Sequence, residues 1–342
     1  MRERTLISSQ AELDALGELT ERVGRDPLLA QASTGNSSVK LGGVLWIKAS
    51  GKWMADALRD DIFIPLDLAE VTECLRRGID PAGRYSNASL ETAMHAALPH
   101  RVVLHVHCVN TIAWAVRNDA PVQLERRLEG RRWQWMPYTA SGLPLARAIQ
   151  QSLSACPDKN LFVLGNHGLV IGGEDANEIE DLLTEVTGRL AIPPRQARPA
   201  DYAALLEISA DSPWDLPEDD EVHALGTDLI SQEILTGGLL YPCQAIFSDA
   251  RTQDLFRPIA YEDLVDQWQS RYTRRPFLII QGRGVLVNRS LKPAELAMIS
   301  GLVQVVQRLD ASAPLRYLTS AEIAAISRQG LYSYRDRASQ GR

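Results

Sequence analysis

The chain has 342 residues, a length that predicts about two domains. Hydrophobic residues make up 45% and charged residues 23%, the balance of an ordinary soluble globular protein. The formal net charge of −7 excludes non-specific attraction to nucleic acid or to an anionic membrane, so any bound phosphate needs a local site working against the overall field. The four cysteines, Cys74, Cys108, Cys156 and Cys243, are scattered without a CxxC spacing. That argues against a disulfide framework and against a thiolate zinc site. The N-terminus is charged and then amphipathic, with no apolar run of signal-peptide length, and no stretch approaches the ~18 apolar residues of a membrane span. These features predict a reduced, cytoplasmic protein with no membrane partner.

In chain order, Leu13, Leu16, Leu19 and Val23 carry a helical period and predict a helix over residues 11–23. Residues 37–48 read as two strands around the Gly42-Gly43 turn. Residues 90–98 read as a short helix that Pro99 ends, flanked by His95 and His100, which are expected to pack or to face solvent. Residues 102–109 read as a buried strand, and residues 160–172 as two strands hinged on Gly165 and Gly168. An amphipathic helix follows over 176–190. Intermixed strands and helices with tight turns predict a layered α/β domain.

The stretch 191–220 holds Pro193, Pro194, Pro199, Pro213 and Pro217 and ends in the acidic run 218–221, so the domain boundary is placed there. The expected organisation is a first domain over 1–192, a linker over 193–220 and a smaller α/β region over 221–342. His223, just after the acidic run, is expected to cap or decorate a helix. Residues 161–190 and 277–309 both read as strand, glycine hinge, strand, polar turn, helix, with Arg283 where the first has His167. A degenerate repeat without metal ligands and two ordinary units of the same kind both fit; strand order separates them.

His105-Val106-His107 lies within the predicted strand. Strand residues two apart face the same way, so both imidazoles project from one face as a ready pair of metal ligands. A satisfied core histidine beside an exposed one gives the same pattern. His167, at the glycine-lined hinge Gly165-Asn166-His167-Gly168, can turn out toward a cleft. Three histidines with an open fourth position are the arrangement of catalytic zinc. Glu91 opens the short helix, where it either favours the helix dipole or, near a metal, serves as general acid and base. Thr34-Gly35-Asn36-Ser37-Ser38 and Lys48-Ala49-Ser50-Gly51-Lys52 are rich in small donors that can cradle a phosphate, with two lysines adding local positive charge. No GxSxG elbow is present, so acyl transfer is not indicated.

Taken in order, these four motifs resemble the class II aldolase/adducin family over roughly residues 10–190. Within it, the compact run from Glu91 to His100 is similar to the aldolase part of the bifunctional rhamnulose-1-phosphate aldolase/short-chain dehydrogenase proteins. Leu240-Tyr241-Pro242-Cys243 and Ile280-Gln281-Gly282-Arg283-Gly284 also resemble the segment that follows it there. No GxGxxG follows a strand, so NAD binding is not expected.

The resemblance implies a layered α/β/α domain with a mixed, largely antiparallel sheet. It implies one Zn²⁺, or another divalent metal ion in its place, per chain on His105, His107 and His167, with Glu91 as the catalytic carboxylate. Its phosphate site corresponds to Gly35, Asn36, Ser50, Gly51 and Ser89. The chain departs from fuculose-phosphate-type enzymes at Leu90, where they carry a second serine that binds phosphate. The implied activity is cleavage of a carbon–carbon bond in a ketose phosphate or related sugar-derived carbonyl compound, through an enediolate, by a homo-oligomer (dimer or tetramer). Epimerases, decarboxylases and dehydratases of the same fold, and adducin-like binding modules that lack the histidines, are the alternatives.

Overall fold

The computed structural model describes residues 2–247, 253–264, 272, 275–328 and 338. Contacts divide the chain into two compact units, the first built from residues 2–115, 119–191 and 338, the second from 116–118 and the described residues of 192–328. Among the described residues no helix is long and apolar enough to cross a membrane.

The first unit is a seven-stranded sheet: β1 (Asn36–Leu41), β2 (Val44–Lys48), β3 (Phe63–Asp67), β4 (Val102–Val106), β5 (Trp133–Met136), β6 (Leu161–Leu164) and β7 (Gly168–Gly173). Their order is β3-β2-β1-β4-β7-β6-β5. Every neighbouring pair is antiparallel except β5 and β6, which run parallel. The hairpin β1–β2 turns on Gly42 and Gly43, both at positive φ (55° and 86°), the backbone that a two-residue turn matched to strand twist demands.

The helices of this unit are α1 (Arg2–Arg25), α2 (Leu68–Arg77), α3 (Thr92–Ala97), α4 (Val109–Ala115), α5 (Ala120–Arg127), α6 (Leu143–Ala155) and α7 (Ala176–Arg189). Helix α1 extends beyond the predicted 11–23, because its first turns are polar and show no apolar period to read. Met94 and Leu98 from the α3 segment and Leu145 and Ile149 from α6 pack with Val103, Phe162 and Val170 in one buried cluster on the sheet. Helices α1 and α7 pack on β1, β4 and β7.

The predicted strand over 102–109 is shorter than expected: β4 stops at Val106, and Val109 already begins α4. Its partners run out at that point. On one side β1 begins at Asn36, opposite His105; on the other β7 begins at Gly168, one residue beyond Leu169, the partner of Val106. His107 therefore sits just past the strand end, where the chain turns into α4.

The second unit contains β8 (Trp214–Asp215), β9 (Phe277–Ile280) and β10 (Gly284–Asn288) in the order β8-β10-β9. Its helices include α8 (Tyr202–Ser209), α9 (Ala224–Thr227), α10 (Leu229–Thr236), α11 (Pro242–Phe247) and α12 (Pro293–Val306). The stretch 193–220, expected as a linker, is part of this unit. Leu205 and Ile208 of α8 and Trp214 of β8 enter its core, and Leu205 and Trp214 are fully buried. The prolines that suggested a linker flank these elements rather than interrupt them. His223 stands at the N-cap position of the helix Ala224–Thr227, as expected, but its side chain makes no cap bond: it is buried, and its Nδ1 accepts the backbone N–H of Val285 at 3.1 Å.

The pairing agrees with the repeat. In β6–β7, Leu164 pairs with Gly168; in β9–β10, Ile280 pairs with Gly284. The central strand of each trio is flanked by an antiparallel partner, β4 for β7 and β8 for β10. The outer strand of each meets a parallel neighbour: Met136 opposite Leu164, Ile259 opposite Ile280. Positive φ falls at equivalent turn positions, Asn166 (52°) and Gly282 (71°). Arg283 takes the place of His167 and pairs with Asp201. Counting on from Asp215, which corresponds to Leu104, Leu216 and Glu218 stand where the first unit has His105 and His107. The second unit thus keeps the topology without the three histidines.

Candidate metal centre

His105 is fixed by its strand. On β4 it faces Asn36 of β1 on one side and Val170 of β7 on the other. Two glycines let the neighbouring chains close on it. A Cβ on Gly35, which is at φ +71°, would lie 2.8 Å from the His105 carbonyl oxygen, and one on Gly168 would lie 2.4 Å from that of Val106. Both obstacles are backbone, so side-chain rotation cannot relieve them. Gly168→Ala is expected to destabilise the protein by about 1–3 kcal/mol or more, as overpacking does, and to weaken metal binding by moving His105. Thermal unfolding of the variant with and without zinc checks this; an unchanged Tm would show that the strands close without it.

His167 hangs on the β6–β7 turn, held by its N–H to the Leu164 carbonyl (3.1 Å), with Asn166 at positive φ ahead of it. With His105 and His107 it forms a buried triad whose ring centroids are 4.8–5.0 Å apart pairwise. The Nδ1–H of His105 donates to the Leu169 carbonyl at 3.0 Å, which turns its Nε2 inward. That Nε2 stands 3.2 Å from Nε2 of His107. Glu91 Oε1 stands 3.3 Å from Nε2 of both His105 and His167. Donors 2.0–2.1 Å from a tetrahedral ion are about 3.3 Å apart, so these separations are edges of such a tetrahedron. The ligand atoms of the three histidines all lie within 4.8 Å of one another, so the residues fit a divalent ion held by three nitrogens with the carboxylate beside it.

Charge agrees with geometry. Burial pushes His107 well below its ordinary value and His167 down to about 4, so both are neutral, as ligands must be. Burial also pulls on His105, but the Glu91 carboxylate outweighs it and holds the His105 pKa above its ordinary value. Glu91 is buried too, and the attraction of His105 and its fellow histidines holds its carboxyl well below the usual range. Without an ion, the proton of this pair belongs on His105.

Glu91 is the N-cap residue of α3 but makes no side-chain cap bond; its carboxylate serves the centre instead. Asn36 Nδ2 donates to Glu91 Oε2 at 2.7 Å and to Ser89 Oγ at 3.3 Å. The backbone N–H of Glu91 also donates to Ser89 Oγ, at 3.2 Å. Gly35, Asn36, Ser89 and Glu91 therefore converge on the triad. Ser50 and Gly51 lie on the next loop, tied to this region by the Ser50 N–H on the Asn87 carbonyl (2.8 Å). Gly51 is at φ +80°. The two lysines of that loop differ. Lys48 is buried, its Nζ donating to the Ser33 and Lys52 carbonyls at 3.0 and 2.7 Å, which clasps the two donor-rich loops together. Burial lowers it to about 7. Lys52 faces outward toward Asp60 at 3.7 Å. The Leu90 side chain lies at the Gly142 turn.

Sequence reasoning misses His95. It does not merely pack: it is fully buried, with Nδ1 2.7 Å from Ser38 Oγ and Nε2 hydrogen-bonded to Asn36 Oδ1. Its spacing from Glu91, one helical turn, is the available signal.

The family model for the class II aldolase and adducin N-terminal domain matches residues 18–190, just over half of the chain. An uncharacterized oxidoreductase of Bacillus subtilis, YuxG, is 26% identical over a match covering 44% of this chain. The match spans only 25% of that relative's length. Among solved structures, the N-terminal class II aldolase domain of a Thermoplasma acidophilum protein is 21% identical (TM-score 0.45), covering 52% of this chain and 92% of that one. The L-fuculose-1-phosphate aldolase of Thermus thermophilus is 19% identical (TM-score 0.40), covering 53% and 91%. The family model spans every strand of the first sheet, the three histidines and Glu91. This chain belongs to the class II aldolase and adducin family.

Proposed function

We propose that the chain is a zinc-dependent aldolase-type lyase that cleaves a carbon–carbon bond in a ketose phosphate or a related sugar-derived carbonyl compound. The observation that carries this reading is the buried convergence of His105, His107 and His167, whose ligand atoms all lie within 4.8 Å of one another, with Glu91 Oε1 3.3 Å from two of them. One Zn²⁺ per chain, held by His105, His107 and His167, supplies Lewis acidity at a substrate carbonyl oxygen.

The chain's own groups do the rest. Glu91 holds and moves the proton. In the cleavage direction the substrate hydroxyl gives up its proton as its carbon becomes the new carbonyl, and the C–C bond breaks. The carbon that keeps the bonding electrons takes a proton from Glu91, whose carboxylate is protonated in turn from that hydroxyl or from solvent; in synthesis the carboxylate removes the proton from carbon. The resting carboxylate is ionised, ready for the second role. Asn36 aims it. Ser89 Oγ already accepts two hydrogen bonds, and its own proton remains to be donated to a ligand. With the Ser50-Gly51 loop and the backbone at Gly35 it forms the proposed substrate or phosphate subsite. The Asn36 amide protons are already engaged by Glu91 and Ser89, which moves Asn36 from that subsite toward holding the carboxylate. The proposed assembly is a cytoplasmic homo-oligomer.

The test is a screen of ketose 1-phosphates and their sugar-acid analogues with zinc present, following fragment release. Carbon–carbon cleavage supports the lyase. Substrate returned with one inverted centre, or released as carbon dioxide, would replace it with another reaction of the same family.

A further inference from the structure

The Asn36 amide is held from both ends. Its Nδ2 faces the Glu91 carboxylate and its Oδ1 faces Nε2 of His95. The reverse orientation would set the amide oxygen against a carboxylate, where two acceptors repel. With Oδ1 toward His95, Nε2 must carry the ring proton. Nδ1 then accepts from the Ser38 hydroxyl at 2.7 Å. The chain of contacts from Ser38 through His95 and Asn36 to Glu91 is buried throughout. It is also geometrically tied: the His95 N–H bonds the Glu91 carbonyl at 3.1 Å on the first turn of α3, so one turn presents both side chains to Asn36.

We propose that His95 is a positioning residue that acts through Asn36 to fix the orientation of the Glu91 carboxylate toward the metal centre. The inference rests on the assignment of Glu91 as the proton-moving group, and it adds a residue that does not touch substrate or ion. An apolar side chain at 95 would leave the buried Asn36 oxygen without a donor. The amide would then be held from the Glu91 and Ser89 side alone, and the position at which it fixes the carboxylate would loosen. The neutral state this role needs is secured by burial, which lowers His95 to about 3.

Two measurements test it. In the zinc-loaded protein with ring-¹⁵N histidine, His95 is expected as the neutral tautomer protonated at Nε2, its signal assigned by its loss in His95→Gln. Protonation at Nδ1 would overturn the proposal, and this result needs no activity. The second measurement is kinetic. His95→Phe keeps the ring volume but no nitrogen, and it is expected to lower kcat ~10–100-fold with KM within about twofold and zinc retained. His95→Gln, which can still donate to Asn36, recovers most of the loss. In an Asn36→Ala background, His95→Phe causes no further loss. A loss that multiplies in the double variant, or an equal loss in His95→Gln, would overturn the proposal. If no substrate is cleaved, the lyase reading fails by itself. The Asn36 side-chain amide protons then decide the positioning role: slow exchange with water in the wild type and fast exchange in His95→Phe support it, and equal exchange overturns it.

Discussion

Glu91→Gln is expected to lower kcat by about 10²–10⁴-fold while the protein keeps its zinc. Glutamine matches the shape of glutamate, so the packing around α3 is preserved and the amide oxygen can still accept from Asn36 Nδ2. The three imidazoles are unchanged, so the ion stays. What is lost is a group that can take up and return a proton at this position. Measured kcat together with zinc content separates the two effects. Activity within tenfold of the wild type would remove Glu91 from the chemistry and leave it as a structural partner of the histidines and Asn36.

His105→Ala is expected to abolish bound zinc and activity together. It removes a ligand whose Nε2 lies 3.2 Å from that of His107 and takes a partner from the buried Glu91. Two remaining histidines are a weak site, and zinc affinity should fall by at least about 100-fold. The pH dependence in the wild type has a definite sign. The Glu91 carboxylate raises the His105 pKa above its ordinary value, so at pH below that pKa zinc must displace a proton from His105. Zinc affinity therefore falls as pH drops through the His105 value and levels off above it, with a proton released on binding below that point. Calorimetric titration in buffers of different ionisation enthalpy measures the released proton. Full activity in a metal-free His105→Ala protein would end the metal reading.

Much of the fold and the site is legible from residues alone, for identifiable reasons. The hairpins β1–β2 and β6–β7 are written locally, as apolar runs around turn glycines, and both form where expected. His105 and His167 are readable because a strand and a glycine hinge dictate where such side chains go. His107 converges with His105, but from just beyond the strand end, where the partner strands give out. That end is set by neighbours remote in sequence, so local alternation does not show it. His95 escapes the sequence for the same reason: its two partners lie on β1, and no local pattern links them to α3. Residues 193–220 look like a linker because proline density hides the short elements whose Leu205 and Trp214 fill the second core.

The central claim is that His105, His107 and His167 hold one divalent ion through nitrogen. X-ray absorption at the zinc edge on the metal-loaded wild-type protein tests it most directly. The structure predicts about one zinc per chain, in a shell of nitrogen and oxygen at about 2.0–2.1 Å with the outer scattering of imidazole rings and no sulfur. A sulfur shell near roughly 2.3 Å, or a protein that takes up no zinc at all, would contradict it.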